Sequence, residues 1–324
     1  MFLNSELFGH QRGQSNKGYK LVQHGDLILS TQNLHLGNAN VNMRFEHGMV
    51  SPAYKTYRIV GCSSELLSHW VKSDKAKEFF FNATTVGASV CRRNVEWETL
   101  YNQIILLPQA EEQSKIANFL SLISERIEKQ QNLVSALKSY KRGAIAYYFT
   151  TQMRNTECIK TTISKCLFYE QPQKYIVHSE HYSHAYTTPV LTANKAFILG
   201  YTNEQDGIYD KGDVLIYDDF TMEVKYVKFP FKVKSSTIKM LTPQNNVDLY
   251  FMYSLLQYLG LKPEGHQRSY ISILEPMEVQ IPTYEEQVRA AKLFRLLDSK
   301  IEKEQLLLQE MTRMKSSLMQ QLFI

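Results

Sequence analysis

Hydrophobic and polar positions along this 324-residue chain share one long period in two places. Between Leu107 and Phe149 the apolar residues Ile116, Leu120, Ile123, Ile127, Val134, Leu137, Ala144 and Tyr148 step alternately four and three positions. Between Ile281 and Phe323 the same steps fall on Ala290, Phe294, Leu297, Ile301, Leu308, Met311, Leu318 and Leu322. This spacing is the seam of a coiled coil. The two stretches, LPQAEEQSKIANFLSLISERIEKQQNLVSALKSYKRGAIAYYF and IPTYEEQVRAAKLFRLLDSKIEKEQLLLQEMTRMKSSLMQQLF, align without a gap at a constant offset of 174. Neither carries a proline beyond its opening, and Pro108 and Pro282 precede Glu111-Glu112-Gln113 and Glu285-Glu286-Gln287. Acids in a first turn suit the helix dipole, so the pattern predicts long helices over 109–150 and 283–324.

The segments before the helices repeat more loosely. Gly25-Asp26-Leu27-Ile28-Leu29 resembles Gly212-Asp213-Val214-Leu215-Ile216, in each case a turn followed by a buried strand. Glu65 to Phe81 matches Asp248 to Leu261 as a short helix rich in Leu, Tyr and Phe. Ala88-Ser89-Val90-Cys91-Arg92-Arg93 and Gly265-His266-Gln267-Arg268-Ser269-Tyr270 hold the same place, each before a predicted strand ending in Pro. A fixed internal period governs the whole architecture: a domain over 1–108, a helix, a second domain over 151–282, and a helix. Only 24 residues precede Gly25, whereas roughly 60 lie between the first helix and Gly212. Set against the second domain, the first is expected to lack an N-terminal part.

Length and composition agree with two cores rather than one. No run approaches the roughly 20 apolar residues that span a bilayer. The first ten residues lack the plan of a secretory signal, so a cytoplasmic protein is expected. Cys62, Cys91, Cys158 and Cys166 form no CxxC pair and read as reduced core residues. The formal charge of +5 is weak evidence for nucleic acid, but its placement is more informative. Glu204 to Glu223 is acidic, and Lys225, Lys228, Lys232, Lys234 and Lys239 follow with no acid among them. A phosphate-binding stretch and an ordinary solvated strand face both fit that run.

Catalytic signatures are wanting. An adenine methyltransferase needs an Asn/Asp-Pro-Pro-aromatic string and a phosphate-driven motor needs GxxxxGK[ST]; neither occurs. Asp213 with Glu223-Val224-Lys225 has a nuclease-like spacing, yet the counterpart strand after Asp26 carries no Glu-x-Lys, which favours a structural turn. His178, His181 and His184 have a spacing foreign to the common zinc sites and read as a polar loop. Tyr147, Tyr148 and Phe149 close the first helix as Leu322 and Phe323 close the second, and read as core. No catalytic or metal-binding residue is expected.

The doubled order of strand, Pro-x-x-Glu-Gln and long helix, after two divergent globular segments, resembles the specificity (S) subunits of type I restriction-modification systems. The resemblance rests on SELFGHQ, YKLVQHGDLILSTQNLHLGNANV, GMVSPAYKTYRI and EEQSKIANFL in the first half. In the second it rests on LTANKAFILGYT, IYDKGDVLIYDDFTMEVKYVKFPFKVKSSTIKML, GHQRSYIS and YEEQVRAAKLF. It implies an α+β fold with two similar target-recognition domains separated by two long antiparallel conserved helices. It implies a non-catalytic subunit that reads double-stranded DNA at a bipartite target and binds two methyltransferase (M) subunits, with restriction (R) subunits as further partners. S-adenosylmethionine, ATP and magnesium would belong to those partners.

In such a protein Lys and Arg fix register on phosphate, while Arg reads guanine and Asn or Gln reads adenine. Lys225, Lys228, Lys232 and Lys234 are then the phosphate candidates of the second domain, and Asn194, Lys195 and Arg268 its base-reading candidates. Gln32, Asn33, His35, Asn38, Arg92 and Arg93 take these parts in the first. A helix of roughly 40 residues is near 60 Å long and would act as a ruler between half-sites. A coiled-coil scaffold with inert globular parts, or a truncated or silent specificity cassette, remains the alternative. For the helix pair, polar residues on the seam predict a register with Lys141 facing Glu304 and Gln130 facing Lys315, which leaves Leu137 against Leu308. The rival register brings Gln130 to Glu304 but sets Lys141 against Leu293.

Overall fold

The structure, a computed structural model, describes residues 18–89, 92–193, 196–263 and 268–323. It divides into two compact units, one of residues 1–133 with 304–324 and one of 134–303.

The first unit runs β1 (Lys20–Gln23), β2 (Leu27–Ser30), β3 (Ala39–Val41), β4 (His47–Val50), β5 (Tyr54–Tyr57), α1 (Ser64–Trp70), α2 (Asp74–Asn82), β6 (Thr84–Ser89), β7 (Arg92–Val95), α3 (Trp97–Asn102) and the start of α4 (Ala110–Tyr147). β2 is the middle strand of an antiparallel sheet in the order β3-β2-β5, while β1 pairs with β4 and β6 with β7. Its apolar run is buried on both faces: Ile28 joins Val22 and Val50, whereas Leu29 joins Leu34, Leu67, Trp70 and Phe80. The predicted turn before it is real, with Gly25 at φ 86° and its counterpart Gly212 at φ 92°. Both lie in the left-handed region that only glycine enters freely.

The second unit continues with β8 (Cys158–Thr162), α5 (Ile163–Cys166), β9 (Leu167–Glu170), β10 (Thr188–Leu191), β11 (Ile198–Thr202), β12 (Val214–Asp218), β13 (Val224–Val227), β14 (Lys232–Val233), β15 (Ile238–Pro243), α6 (Leu249–Leu259), β16 (Glu278–Pro282) and α7 (Tyr284–Leu322). Its main sheet has the order β13-β12-β15-β9, a second sheet the order β11-β10-β14, and β16 pairs with β8. Every residue of β12 is buried. Leu215 and Tyr217 enter the core shared with α6 and α7, while Val214 and Ile216 enter a second core with Tyr209, Phe231 and Val233. Side chains alternate across a strand, so one continuous apolar run serves two cores.

Two local expectations need correction. The short helix predicted from Glu65 to Phe81 is two helices, because the Ser73 hydroxyl accepts the Ala76 N–H at 3.1 Å and starts a new one. The strand predicted before Pro108 is absent: residues 104–108 pair with nothing among the described residues, whereas their counterpart β16 pairs along its length with β8.

α4 and α7 run antiparallel, and the seam residues of both are buried or half-buried as predicted. The favoured register is nevertheless wrong. In the first unit Gln130 Nε2 donates to Glu304 Oε2 at 2.7 Å, and Lys315 Nζ reaches Ser124 Oγ at 2.7 Å. In the second unit Lys141 Nζ meets Asp298 Oδ2 at 2.6 Å, not Glu304 and not Leu293. The long lysine stem carries the Lys141 charge along the helix to a partner off the seam. At the end of α4, Tyr148 stands edge-on to Phe294 with centroids 5.7 Å apart. Tyr148 and Phe149 are core residues, but Tyr147 is 56% exposed, contrary to expectation. Cys166 is buried, Cys62 and Cys158 are half-buried, all three are free thiols, and Cys91 lies outside the described residues. Among the described residues no helix is long and apolar enough to cross a membrane.

Candidate nucleic-acid interface

The basic stretch of the second unit separates by burial. Lys232 is fully buried on β14, with Nζ 2.7 Å from Glu204 Oε2 and 2.8 Å from the Asp206 carbonyl oxygen. Burial alone would raise the Glu204 pKa. The Lys232 ammonium and the backbone N–H groups of Ser179 and His178 prevail and hold it below the ordinary carboxylate value. Lys232 is therefore an internal brace and not a phosphate contact. Lys239 is likewise buried, 3.2 Å from Asp219. Both lysines sit in strands whose backbone is walled in by neighbours, so their charge had to be answered inside the protein.

The remaining lysines face outward. Lys225 lies 3.4 Å from Glu223, and Lys234 pairs with Glu180. Exposed pairs of this kind contribute little and can be exchanged for phosphate. Lys228 is exposed and has no carboxylate partner among the described residues. Arg268 is 65% exposed, its Nε 4.0 Å from Asp219 Oδ2. Asn194 and Lys195 lie outside the described residues.

Asp218 and Asp219 build the turn beside Arg268. Asp218 Oδ1 accepts the N–H groups of Phe220 at 3.0 Å and Thr221 at 2.8 Å, and the chain turns at Met222 with φ 58°. Asp219 Oδ1 accepts the N–H groups of Ser269 at 3.1 Å and Tyr270 at 2.8 Å. Sequence reasoning treated this doublet only as part of an acidic run. Its position at the end of a wholly apolar strand was the available signal, since a carboxylate there needs donors.

In the first unit Gln32, Asn33, His35 and Asn38 all fall on the loop between β2 and β3. Leu34 is buried and anchors the loop, the Ser30 hydroxyl accepts the Gln32 and Asn33 N–H groups at 3.4 and 3.3 Å, and the Asn38 carbonyl accepts the Ser30 N–H at 3.0 Å. The backbone closes itself, and the amides of Gln32, Asn33 and Asn38 are left on the surface. His35 is half-buried, and its Nδ1 has no hydrogen-bond partner among the described residues. Arg93 belongs elsewhere. Its Nε and Nη2 donate to the hydroxyl and carbonyl of Thr84 at 2.8 and 2.7 Å, and its guanidinium lies 4.1 Å from the Phe81 ring centroid. It braces the β6–β7 pair and is half-buried, with part of its guanidinium already committed to Thr84. Arg92 lies in β7, and its side chain is outside the described residues.

Other tempting groups are structural. Asp213 accepts the Tyr226 hydroxyl, whose proton is held on first by burial and then by that hydrogen bond. His178, His181 and His184 are exposed on a loop. Gln113 and Gln287, also missed, are buried equivalents in the repeat. Each accepts the N–H of the residue opening a short helix, Ser63 at 2.9 Å or Asp248 at 3.0 Å, and each donates to its preceding proline carbonyl at 2.9 Å. The Glu-Gln of the repeated motif thus ties each long helix to its own globular part.

A second doubled feature lies on the flank of the long helices. Phe119, Leu122, Leu133 and Tyr140 of α4 are exposed, and so are Leu293, Leu296, Leu307 and Met314 of α7. The second set is the first displaced by the repeat offset of 174. At about 100° per residue each set falls within a narrow stripe, turned roughly a quarter-circle from the seam. Exposed apolar residues in register on two helices are the kind of feature from which interaction surfaces are built.

Doubled strand cores, doubled long helices and doubled helix ties define a repeated two-part architecture, which comparison with known proteins places among known folds. Residues 160–313 match the family described as the type I restriction modification DNA specificity domain. A stretch of 120 residues is 48% identical to the type I restriction enzyme EcoR124I/EcoR124II specificity subunit of Escherichia coli, covering 35% of this chain and 30% of that relative's length. In three dimensions the chain resembles the S subunit of a type I restriction-modification system from M. genitalium, with TM-score 0.63, 16% identity, and 97% and 86% of the two chains covered. It also resembles a chain from a structural study of complex assembly and conformational transition in a type I system, with TM-score 0.55, 15% identity, and 96% and 84% covered. At these identities the structural likeness bears on fold alone. The family match covers a little under half of the chain, and the fold is the one seen in S subunits of type I restriction-modification systems.

Proposed function

We propose that this chain is the non-catalytic DNA-recognition subunit of a type I restriction-modification complex, reading one half of a bipartite target with each unit and docking two methyltransferase subunits. The observation that carries the reading is the doubling of the exposed stripe. Phe119, Leu122, Leu133 and Tyr140 recur position for position as Leu293, Leu296, Leu307 and Met314, so a partner that fits one stripe fits the other. Two like partners on one doubled chain is the stoichiometry such a repeat supports. The methyl donor, ATP and magnesium belong, in this reading, to the methyltransferase and any restriction subunits. α4, with 38 residues, is about 57 Å long.

DNA contact in the second unit falls to Lys228, Lys225, Lys234 and Arg268, and in the first to Gln32, Asn33 and Asn38. Asn194, Lys195 and Arg92 stay in the proposal on their sequence positions. The test is affinity for DNA against salt, measured on the chain with its methyltransferase. Phosphate contacts give a steep negative slope of log affinity on log salt; a flat line would leave the scaffold reading in its place. In the same complex, Leu122→Glu and Leu296→Glu should each reduce the methyltransferase count from two to one.

A further inference from the structure

Just past the end of β12 one buried carboxylate faces two cations. Asp219 is almost wholly buried, and its backbone is tied in on both sides: its N–H donates to the Thr237 carbonyl at 3.0 Å, and its carbonyl accepts the Ser269 hydroxyl at 2.7 Å. Its Oδ1 is taken by the Ser269 and Tyr270 N–H groups, while its Oδ2 meets Lys239 at 3.2 Å and Arg268 at 4.0 Å. The neighbouring Asp218 carboxylate is taken up by Phe220, Thr221 and Thr237.

The two cations differ in burial. The Lys239 side chain is 7% exposed, with its ammonium also 3.3 Å from the Ser236 carbonyl oxygen and 5.6 Å from the Tyr169 ring centroid, whereas that of Arg268 is 65% exposed. An arginine beside a carboxylate with no other counter-ion closes on it through two parallel N–H···O bonds, which uses up its fork. At Asp219 both oxygens are already engaged, one by backbone N–H groups and one by Lys239. Arg268 stands off, its Nε edge toward the carboxylate at a distance too long for a hydrogen bond. The exposed cation is the one in surplus.

We propose that Lys239 and Asp219 are positioning residues for DNA reading by the second unit: Lys239 neutralises Asp219, and Asp219 holds the Ser269–Tyr270 backbone, so that the adjacent Arg268 presents its two Nη groups outward to a pair of acceptor atoms on duplex DNA. That pair is O6 and N7 of a guanine or two oxygens of a phosphate. The inference rests on the DNA-reading assignment and deepens it. Lys239 then serves DNA binding without touching DNA.

For the test, the complex of the chain with its methyltransferase is bound to a randomised duplex library, the retained DNA is sequenced, and affinity for one retained duplex is titrated. Arg268→Lys keeps the charge but loses the fork, and should weaken binding about tenfold. Lys239→Met should do the same, because Arg268 then closes on Asp219. Adding Asp219→Asn to Lys239→Met removes that attraction and should recover most of the loss, which a role in folding alone would not produce. This double variant also carries the test where Lys239→Met alone does not fold. In the weakened variants, a relaxed preference at one guanine assigns the fork to a base, and an even loss across sequences assigns it to phosphate. Full affinity in Arg268→Lys, full affinity in a folded Lys239→Met, or a folded double variant as weak as Arg268→Lys would each overturn the proposal. So would a double variant that cannot fold, since Lys239 would then answer more than the charge of Asp219. If the wild-type complex retains no DNA, the DNA-reading assignment itself fails; if it retains DNA and the variants match it, only the positioning role does.

Discussion

Replacing Gln287 with Ala should destabilise the second unit far more than its surface count of atoms suggests. The amide is almost wholly buried, accepts the Asp248 N–H at 3.0 Å and donates to the Pro282 carbonyl at 2.9 Å. Asp248 in turn caps α6, its carboxylate accepting the Phe251 N–H at 2.8 Å. The truncation removes these two hydrogen bonds and a longer one of 3.5 Å to the Asn246 carbonyl, and leaves the Asp248 N–H and the Pro282 carbonyl without those partners, each costing about 1–3 kcal/mol. Water admitted to the new cavity recovers part of this, and we expect a loss of about 2–4 kcal/mol. Gln287→Glu should be no better, since the carboxylate cannot donate to Pro282. The assay is urea unfolding followed by amide exchange, which resolves the units. Exchange in α6 should accelerate strongly, while exchange in α1 should not. Gln113→Ala should give the converse. A loss below about 0.5 kcal/mol, the range of surface substitutions, or equal acceleration in both units would refute the tie between long helix and short helix.

Lys232→Ala should cost about 3–5 kcal/mol of stability by stranding Glu204, whereas Lys228→Ala should leave stability unchanged and reduce the salt slope of DNA binding by about one; a slope change from a folded Lys232 variant would contradict the burial argument. The His69 pKa is depressed to about 4 by burial and by the Lys315 charge. The folded imidazole stays neutral while the unfolded one gains a proton, so stability of the first unit should fall as pH drops from about 6.5 toward 4. His69→Gln, compared with wild type across that range by thermal unfolding, should remove this component. Lys315 is held below the ordinary lysine pKa by burial. The unfolded lysine therefore keeps its proton at higher pH than the folded one, and stability should rise with pH toward the free-lysine value. Ser124→Asp, which copies the carboxylate that Asp298 offers Lys141, should flatten that rise and stabilise the unit near neutral pH.

The long helices, their antiparallel course and the repeat were legible from the sequence because periodicity is a one-dimensional signal: apolar residues at four-three spacing bury a seam whatever else the chain does. The buried strands after Gly25 and Gly212 were legible for a similar reason, as glycine in the left-handed region followed by a continuous apolar run has few other uses. What the sequence left open was the partner of each charge. Lys228 and Lys232 are four positions apart in one basic stretch, yet one is exposed and the other closed against Glu204 and the Asp206 carbonyl, since only the arrangement of β14 and the Glu204 loop excludes water there. Arg93 reads as a free cation until Thr84 and Phe81 are folded beside it. The register of α4 on α7 likewise emerged only in three dimensions, where Gln130 meets Glu304 and Lys141 reaches Asp298. Burial and pairing are properties of surroundings, and surroundings arrive from residues tens or hundreds of positions away, so the sequence named the elements while the tertiary structure chose which of their side chains remain free to act.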